Sequence, residues 1–168
     1  MNPETLEELP PHKVGEIWCK GPQVFKGYWN NEEATRQVLV DGWYRSGDLG
    51  MKDEDGFVYV VDRLKDMIIS GGENIYPAEL EAVISTLPAV AEVAVVGIPD
   101  EKWGEVPCAC VVVKPGMELK PEEVIDVCRN NLASYKVVKK VVFLEALPRN
   151  GAGKVMKGVI KENLAKAV

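Results

Sequence analysis

The stretch DMIISGGENIYPAELEAVISTL, Asp66–Leu87, decides the fold. Asp66–Ser70 (DMIIS) is an apolar run that reads as a strand, and Gly71–Gly72 reads as the turn after it. Pro77 stands at a first helical position, where its missing N–H leaves no hydrogen bond unmade. Leu80, Val83, Ile84 and Leu87 then recur at helical spacing and form an inward stripe. Downstream, Val90–Ile98 and Val106–Val113 are β-branched runs separated by a turn region at Pro99–Asp100. Pro121 opens a second helix with the stripe Val124, Ile125, Cys128 and Leu132. Val141–Leu144 is a further strand, and Val155–Ala167 a terminal helix buried through Val159, Ile160 and Leu164. The order ββαββαβα predicts an α+β domain, a small three-stranded, largely antiparallel sheet with helices over it.

Upstream of Asp66 the pattern is different. Residues 1–13, with Pro3, Pro10 and Pro11, read as an irregular lead-in, and Gly15–Lys20 (GEIWCK) as a short alternating strand. Asn30–Leu39 predicts a helix capped by Asn31, with Glu32 and Glu33 in its first turn. Asp41–Gly42 and Asp55–Gly56 are turn signals ahead of Trp43–Tyr44 and Phe57–Val61. About four short strands of this size bury too little surface for a core of their own. The expectation is a partial β-barrel, the end of a larger N-terminal domain, over 1–64, and a separate domain over 65–168, the join falling near Asp62–Asp66.

Composition narrows the function classes. Of 168 residues, 46% are apolar and 27% charged, the balance of a globular chain. A net charge of -6 argues against a nucleic-acid partner. Most of the acidic excess lies in 1–65, whereas Tyr135–Lys140 and Arg149–Lys166 are rich in Lys, which suits either an anionic ligand or a solvated helix face. Cys19, Cys108, Cys110 and Cys128 form no CxxC pair, and His12 is the single histidine, so no zinc site is expected. Cys108 and Cys110 share one face of an apolar run and read as buried thiols. No secretory leader opens the sequence and no apolar stretch is long enough to span a bilayer, so a reducing, cytoplasmic setting without a membrane segment is expected.

Three polar clusters interrupt the apolar scaffold. In Tyr44–Gly50 (YRSGDLG), Asp48 between two glycines projects a carboxylate from a tight turn, able to accept from two vicinal ribose hydroxyls. By itself it reads more readily as a surface turn. In Asp62–Asn74, Arg63 offers a fixed fork of donors at the end of an apolar strand. Gly71–Gly72 leave room for a ligand beside the backbone, or form an ordinary hairpin. The third cluster, Pro148–Lys154 (PRNGAGK), looks like the tail of a phosphate-binding P-loop but fails the pattern. Val155 stands where Ser or Thr should follow the lysine, and Pro148 where the first glycine should be. What remains is a flexible glycine loop presenting one ammonium group ahead of a helix. That group suits phosphate charge.

In this order and at these separations the clusters resemble the adenylate-forming superfamily, which includes acyl-CoA synthetases, peptide-synthetase adenylation domains and firefly luciferase. GYW at Gly27–Trp29, DGWYRSGDLG at Asp41–Gly50, DRLKDMIISGGENIYPAELE at Asp62–Glu81, WGE at Trp103–Glu105 and PRNGAGK at Pro148–Lys154 carry the resemblance. SGGENIYP is similar to the segment found in fatty-acyl and aryl-CoA ligases. The resemblance implies a carboxylate activated by ATP to an acyl-AMP, and then converted by CoA to a thioester. It implies Asp48 and Arg63 on the ribose hydroxyls, Lys154 on the carboxylate and α-phosphate, Lys65 as hinge, and Gly71 and Gly72 along the pantetheine passage. ATP/AMP and CoA would be ligands, with Mg accompanying the triphosphate and no protein metal ligands here. Asp62, Ala152 and Lys157 depart from the family's usual residues without removing a group that has a role. The family's phosphate loop and acyl pocket are absent from the sequence, so the expected partner is a missing N-terminal large domain, and a dimer is left open. The alternative is a stand-alone, non-catalytic binding or regulatory module that keeps the lid-domain fold.

Overall fold

The computed structural model describes residues 1–3 and 5–166. The chain divides into two compact units, with the boundary between Lys65 and Asp66.

The first unit contains β1 (Gly15–Cys19), α1 (Glu32–Val38), β2 (Leu39–Val40), β3 (Trp43–Lys52) and β4 (Val58–Arg63). The Asn31 side chain accepts from the Ala34 N–H at 3.0 Å and caps α1. Asp41 and Gly42, with φ of 51° and 79°, make the tight turn that folds β2 back on β3. β3 is the spine of a four-stranded antiparallel sheet. β1 runs along one side of it, while β2 and β4 share the other, because Tyr44 pairs with both Cys19 and Leu39, and Leu49 with both Glu16 and Asp62. The sheet is open: β1 and β3 with β2 and β4 beside β3, and among the described residues no strand pairing closes it. Phe57, just ahead of β4, and Val58, Tyr59 and Val60 within it are exposed, the last at 70%.

The second unit contains β5 (Ile68–Ser70), β6 (Glu73–Ile75), α2 (Pro77–Ile84), β7 (Val90–Asp100), β8 (Gly104–Val113), α3 (Pro121–Asn131), β9 (Lys140–Phe143) and α4 (Lys157–Lys166). This is the order ββαββαβα. The sheet has five strands where three were expected. The Gly71–Gly72 hairpin joins it through Ser70↔Gly104, and β9 adds in parallel to β8. β7 and β8 also run further than the sequence suggests. Pro99 pairs with Glu105 and Asp100 with Gly104, so the reversal lies at Glu101–Trp103. A proline fits there because β7 is an edge strand, with one side free of ladder bonds. α4 begins at Lys157, since Val155 is held in a bridge to Arg149; Ala167 lies outside the described residues.

The pleat divides the core. Val95, Ala109 and Val111 face α2 and α3, packing with Ile68, Ile75, Leu80, Ile84, Val124 and Cys128. Ala94, Val96, Cys108 and Cys110 face the opposite side, with Leu147 and Ile160 of α4. Side chains of this size contribute about 1.5–3 kcal/mol each when fully buried. Cys108 and Cys110 are both fully buried, and the hydrogen bond between them together with burial pushes the Cys110 thiol up. Among the described residues no helix is long and apolar enough to cross a membrane, and no group of three or more His, Cys, Asp or Glu could hold a metal ion.

Candidate nucleotide-handling site

Asp48 is not in a turn after a strand, as its flanking glycines suggested. It lies inside β3, directly opposite Arg63 on β4. The turn-like glycines instead mark a bulge: between the paired positions Glu16↔Leu49 and Trp18↔Arg45, β1 takes two steps while β3 takes four. Gly47 absorbs the excess with φ of 72°, a region in which a side chain would be strained. Ser46 Oγ donates to the Ile17 carbonyl at 2.7 Å and accepts from the Asp48 N–H at 3.0 Å. Arg63 Nε stands 3.6 Å from Asp48 Oδ1, with the two side chains 45% and 39% exposed. With Ser46, Gly47, Leu64 and Lys65 they line an open recess of about 460 Å³. A solvent-facing carboxylate beside a guanidinium offers acceptors for a diol and donors for an anion in one place.

Glu16 went unnoticed in the sequence. It is 3% exposed and accepts from Trp18 Nε1 at 2.9 Å, Arg45 Nε at 3.1 Å and Nη2 at 3.0 Å, and the Gly47 N–H at 3.2 Å. The signal available was a carboxylate in phase with Trp18 on an otherwise inward-facing strand.

In the second unit, Gly71 and Gly72 take φ of 59° and 87° and close the β5–β6 hairpin. Gly71 donates its N–H to the Trp103 carbonyl at 2.9 Å, and a Cβ built on it would sit 2.6 Å from the indole Cε3. A Cβ on Gly72 would meet nothing within 4 Å. Ser70, Gly71, Glu73, Trp103, Tyr135 and Lys139 border a recess of about 320 Å³.

The lysine loop is more tightly bound than a flexible glycine segment. Asn150 Oδ1 accepts from the N–H groups of Ala152 at 3.0 Å and Lys154 at 2.9 Å, and the Asn150 N–H donates to the Lys154 carbonyl at 2.9 Å. Arg149 donates through Nη1 to the Gly153 carbonyl at 2.6 Å and through Nη2 to Glu92 of β7 at 2.9 Å. The loop therefore holds the Lys154 backbone while its side chain stays exposed.

Residues 79–154 match the sequence model of the AMP-binding enzyme C-terminal domain. This segment belongs to that family. Lys154 is the last residue of the AMP-binding domain match, whereas Asp48, Arg63, Lys65, Gly71 and Gly72 precede it. Relatives extend the likeness to nearly the whole chain. A long-chain-fatty-acid–CoA ligase of Mycobacterium tuberculosis is 50% identical over 157 residues, 94% of this chain and 31% of its own length. A 2-succinylbenzoate–CoA ligase of Bacillus cereus is 53% identical over 154 residues, 92% of this chain and 32% of its own. The crystal structure of ATP-bound MatB from Rhodopseudomonas palustris superposes with a TM-score of 0.92 at 42% identity, covering 99% of this chain and 33% of that one. In sequence and fold the chain is similar to these proteins over nearly its whole length, and it spans about a third of theirs.

Proposed function

We propose that the chain is the C-terminal part of an ATP-dependent acyl-CoA synthetase acting on a fatty or aryl carboxylic acid in the cytoplasm. In the first half-reaction the substrate carboxylate attacks the α-phosphorus of ATP, giving acyl-AMP and pyrophosphate. In the second the CoA thiol attacks the acyl carbonyl, and the carbonyl–AMP bond breaks. The Asp48 carboxylate accepts from the ribose hydroxyls, with Arg63 beside it as donor. The Lys154 ammonium balances charge that grows on the carboxylate and α-phosphate oxygens, an effect worth most where water is excluded. Lys65 stands at the boundary between the units, and we assign it the hinge. Gly71 and Gly72 give the pantetheine chain a path without side chains. The rest of the protein, we propose, supplies the triphosphate cradle and the acyl pocket. Magnesium would accompany the triphosphate, with its protein donors in the rest of the protein.

The observation that carries this reading is the Asp48–Arg63 pair, 3.6 Å apart at an open recess, in a chain about half identical to CoA ligases of fatty and aromatic acids. ATP-dependent pyrophosphate release and CoA-dependent thioester formation, measured on the complete polypeptide containing these residues, test it. The purified 168-residue chain alone should form no thioester, because positioning of the triphosphate is missing. Turnover by that short chain would refute the division of labour. Its absence in the complete polypeptide would refute the activity and favour a non-catalytic module.

A further inference from the structure

The bulge in β3 is held by side chains, and one buried carboxylate on the neighbouring β1 does most of the holding. A carboxylate 3% exposed persists only if its oxygens are well partnered. Glu16 divides this work between its two oxygens. Oε2 takes Trp18 Nε1 and both Arg45 donors, at 2.9, 3.1 and 3.0 Å, while Oε1 takes the Gly47 N–H at 3.2 Å. Arg45 is itself fixed over the Trp18 ring, 5.3 Å from the centroid. Oε2 thus anchors the glutamate, and Oε1 is free to fix the bulge. Gly47, which carries the positive φ, immediately precedes Asp48. The next N–H, that of Asp48, is held by Ser46 Oγ at 3.0 Å. Both backbone donors that set the direction of the Asp48 side chain are therefore bound by side chains instead of by ladder partners.

We infer that Glu16 is a positioning residue for nucleotide recognition: by clamping the Gly47 amide it fixes the bulge from which Asp48 faces Arg63 and meets the ribose. This deepens the proposed function and rests on its reading of Asp48 and Arg63. The inference separates two roles that stability alone would blur. A glutamate needed only for packing would change how much enzyme folds. One that aims Asp48 would change which nucleotides the folded enzyme prefers.

The test uses the complete polypeptide and compares ATP with 2′-deoxy-ATP and 3′-deoxy-ATP in acyl-AMP formation. Glu16→Gln keeps the shape and one acceptor but removes the charge, and should raise KM for ATP about tenfold, the cost of weakening one charged hydrogen bond. Its kcat and its KM for the carboxylic acid should stay near wild type. Its preference for ATP over the deoxy-nucleotides should fall toward that of Asp48→Asn. Arg45→Lys, which leaves Glu16 a cationic partner but no fork, should show the same trend more weakly and serves if Glu16→Gln does not fold. Wild-type discrimination retained in these folded variants would overturn the inference. A wild-type enzyme indifferent to the ribose hydroxyls, with Asp48→Asn unaltered, would instead overturn the reading of Asp48 and Arg63.

Discussion

The Glu81 carboxylate receives the Lys157 ammonium at 2.7 Å and, on the same oxygen, the backbone N–H of Val95 at 2.8 Å. One atom thereby joins α2, β7 and α4. The lysine loop lies just ahead of α4, so this contact anchors it from the C-terminal side, as Arg149–Glu92 does from the other. The Glu81 and Lys157 side chains are 23% and 17% exposed, against 41% and 43% for Glu92 and Arg149. Lys157→Met should therefore cost about 1–3 kcal/mol, the penalty for leaving a largely buried acceptor short of a partner. Arg149→Ala should cost less than about 1 kcal/mol, as exposed pairs do. Urea unfolding of both variants checks the ranking, and equal losses would show that burial does not set it.

Lys154 and Lys65 should fail in opposite halves of the cycle. In the complete enzyme Lys154→Ala should slow acyl-AMP formation by about 10²–10³, by analogy with a lost oxyanion donor. Thioester formation from supplied acyl-AMP should be spared. Lys65→Pro fixes a backbone dihedral at the boundary of the units and should impair the second half-reaction while sparing the first. Single-turnover assays of each half decide the matter; a Lys154→Ala defect equal in both would contradict the role proposed for Lys154.

Gly71 and Gly72 look equivalent in sequence and differ in structure. Both need a positive φ, so either substitution by alanine strains the hairpin. Only Gly71→Ala also drives a methyl group to 2.6 Å from the Trp103 ring. Gly71→Ala should thus destabilise more than Gly72→Ala and alter Trp103 fluorescence, whereas Gly72→Ala should leave the emission unchanged. Identical spectra in the two variants would contradict the packing.

Much of this was legible in the residues, and the exceptions share a cause. The Asn31 cap, the Gly71–Gly72 turn and the Val124–Cys128 stripe depend on local chemistry and were readable from neighbouring positions. Pro99 misled because proline usually ends a strand, and only the sheet's order shows that β7 is an edge. The parallel pairing of β9 has no local signature at all, because the strand order that creates it is tertiary. Asp48 was singled out in the sequence but given the wrong setting, since glycines that signal a turn also make a bulge. Glu16 was missed because Trp18 is its one partner nearby in sequence, while Arg45 and Gly47, which complete its setting, lie far along the chain.

Amide exchange should separate the two units. The first buries few apolar side chains, Leu49 chief among them, and leaves β4 with an exposed apolar surface. The second is built around two buried clusters. In the purified chain, amides of residues 1–61 should exchange faster than those of β7 and β8. Uniform protection across a monomer would show that the first unit holds itself together by means not visible in its core.

Alkaline pH should loosen the second unit. Burial draws the Lys136 ammonium pKa down, but the hydrogen bonds to Glu79, at 2.8 and 2.6 Å, and its charge outweigh that, and the net shift is upward. A lysine held above its unfolded value of about 10.4 contributes stability that is complete below that pH and is lost as pH rises through the folded value. Burial also raises the Tyr76 phenol, so the folded state resists its ionisation in the same range. Unfolding midpoints should fall above about pH 10, and Glu79→Gln should flatten the fall. A midpoint indifferent to pH in that range would show that neither group is coupled to folding.

The parallel ladder between β8 and β9 has a consequence for the order in which this polypeptide gains its shape. β7 and β8 meet across a reversal of only a few residues, and such hairpins close within about 1–10 μs. Cys108 can find Lys140, by contrast, only after the whole of α3 has folded back between them. The lysine loop follows β9, and its arginine must reach back to Glu92 on β7. Molecules caught part-way would hold a formed β7–β8 hairpin and a lysine loop not yet fastened to it.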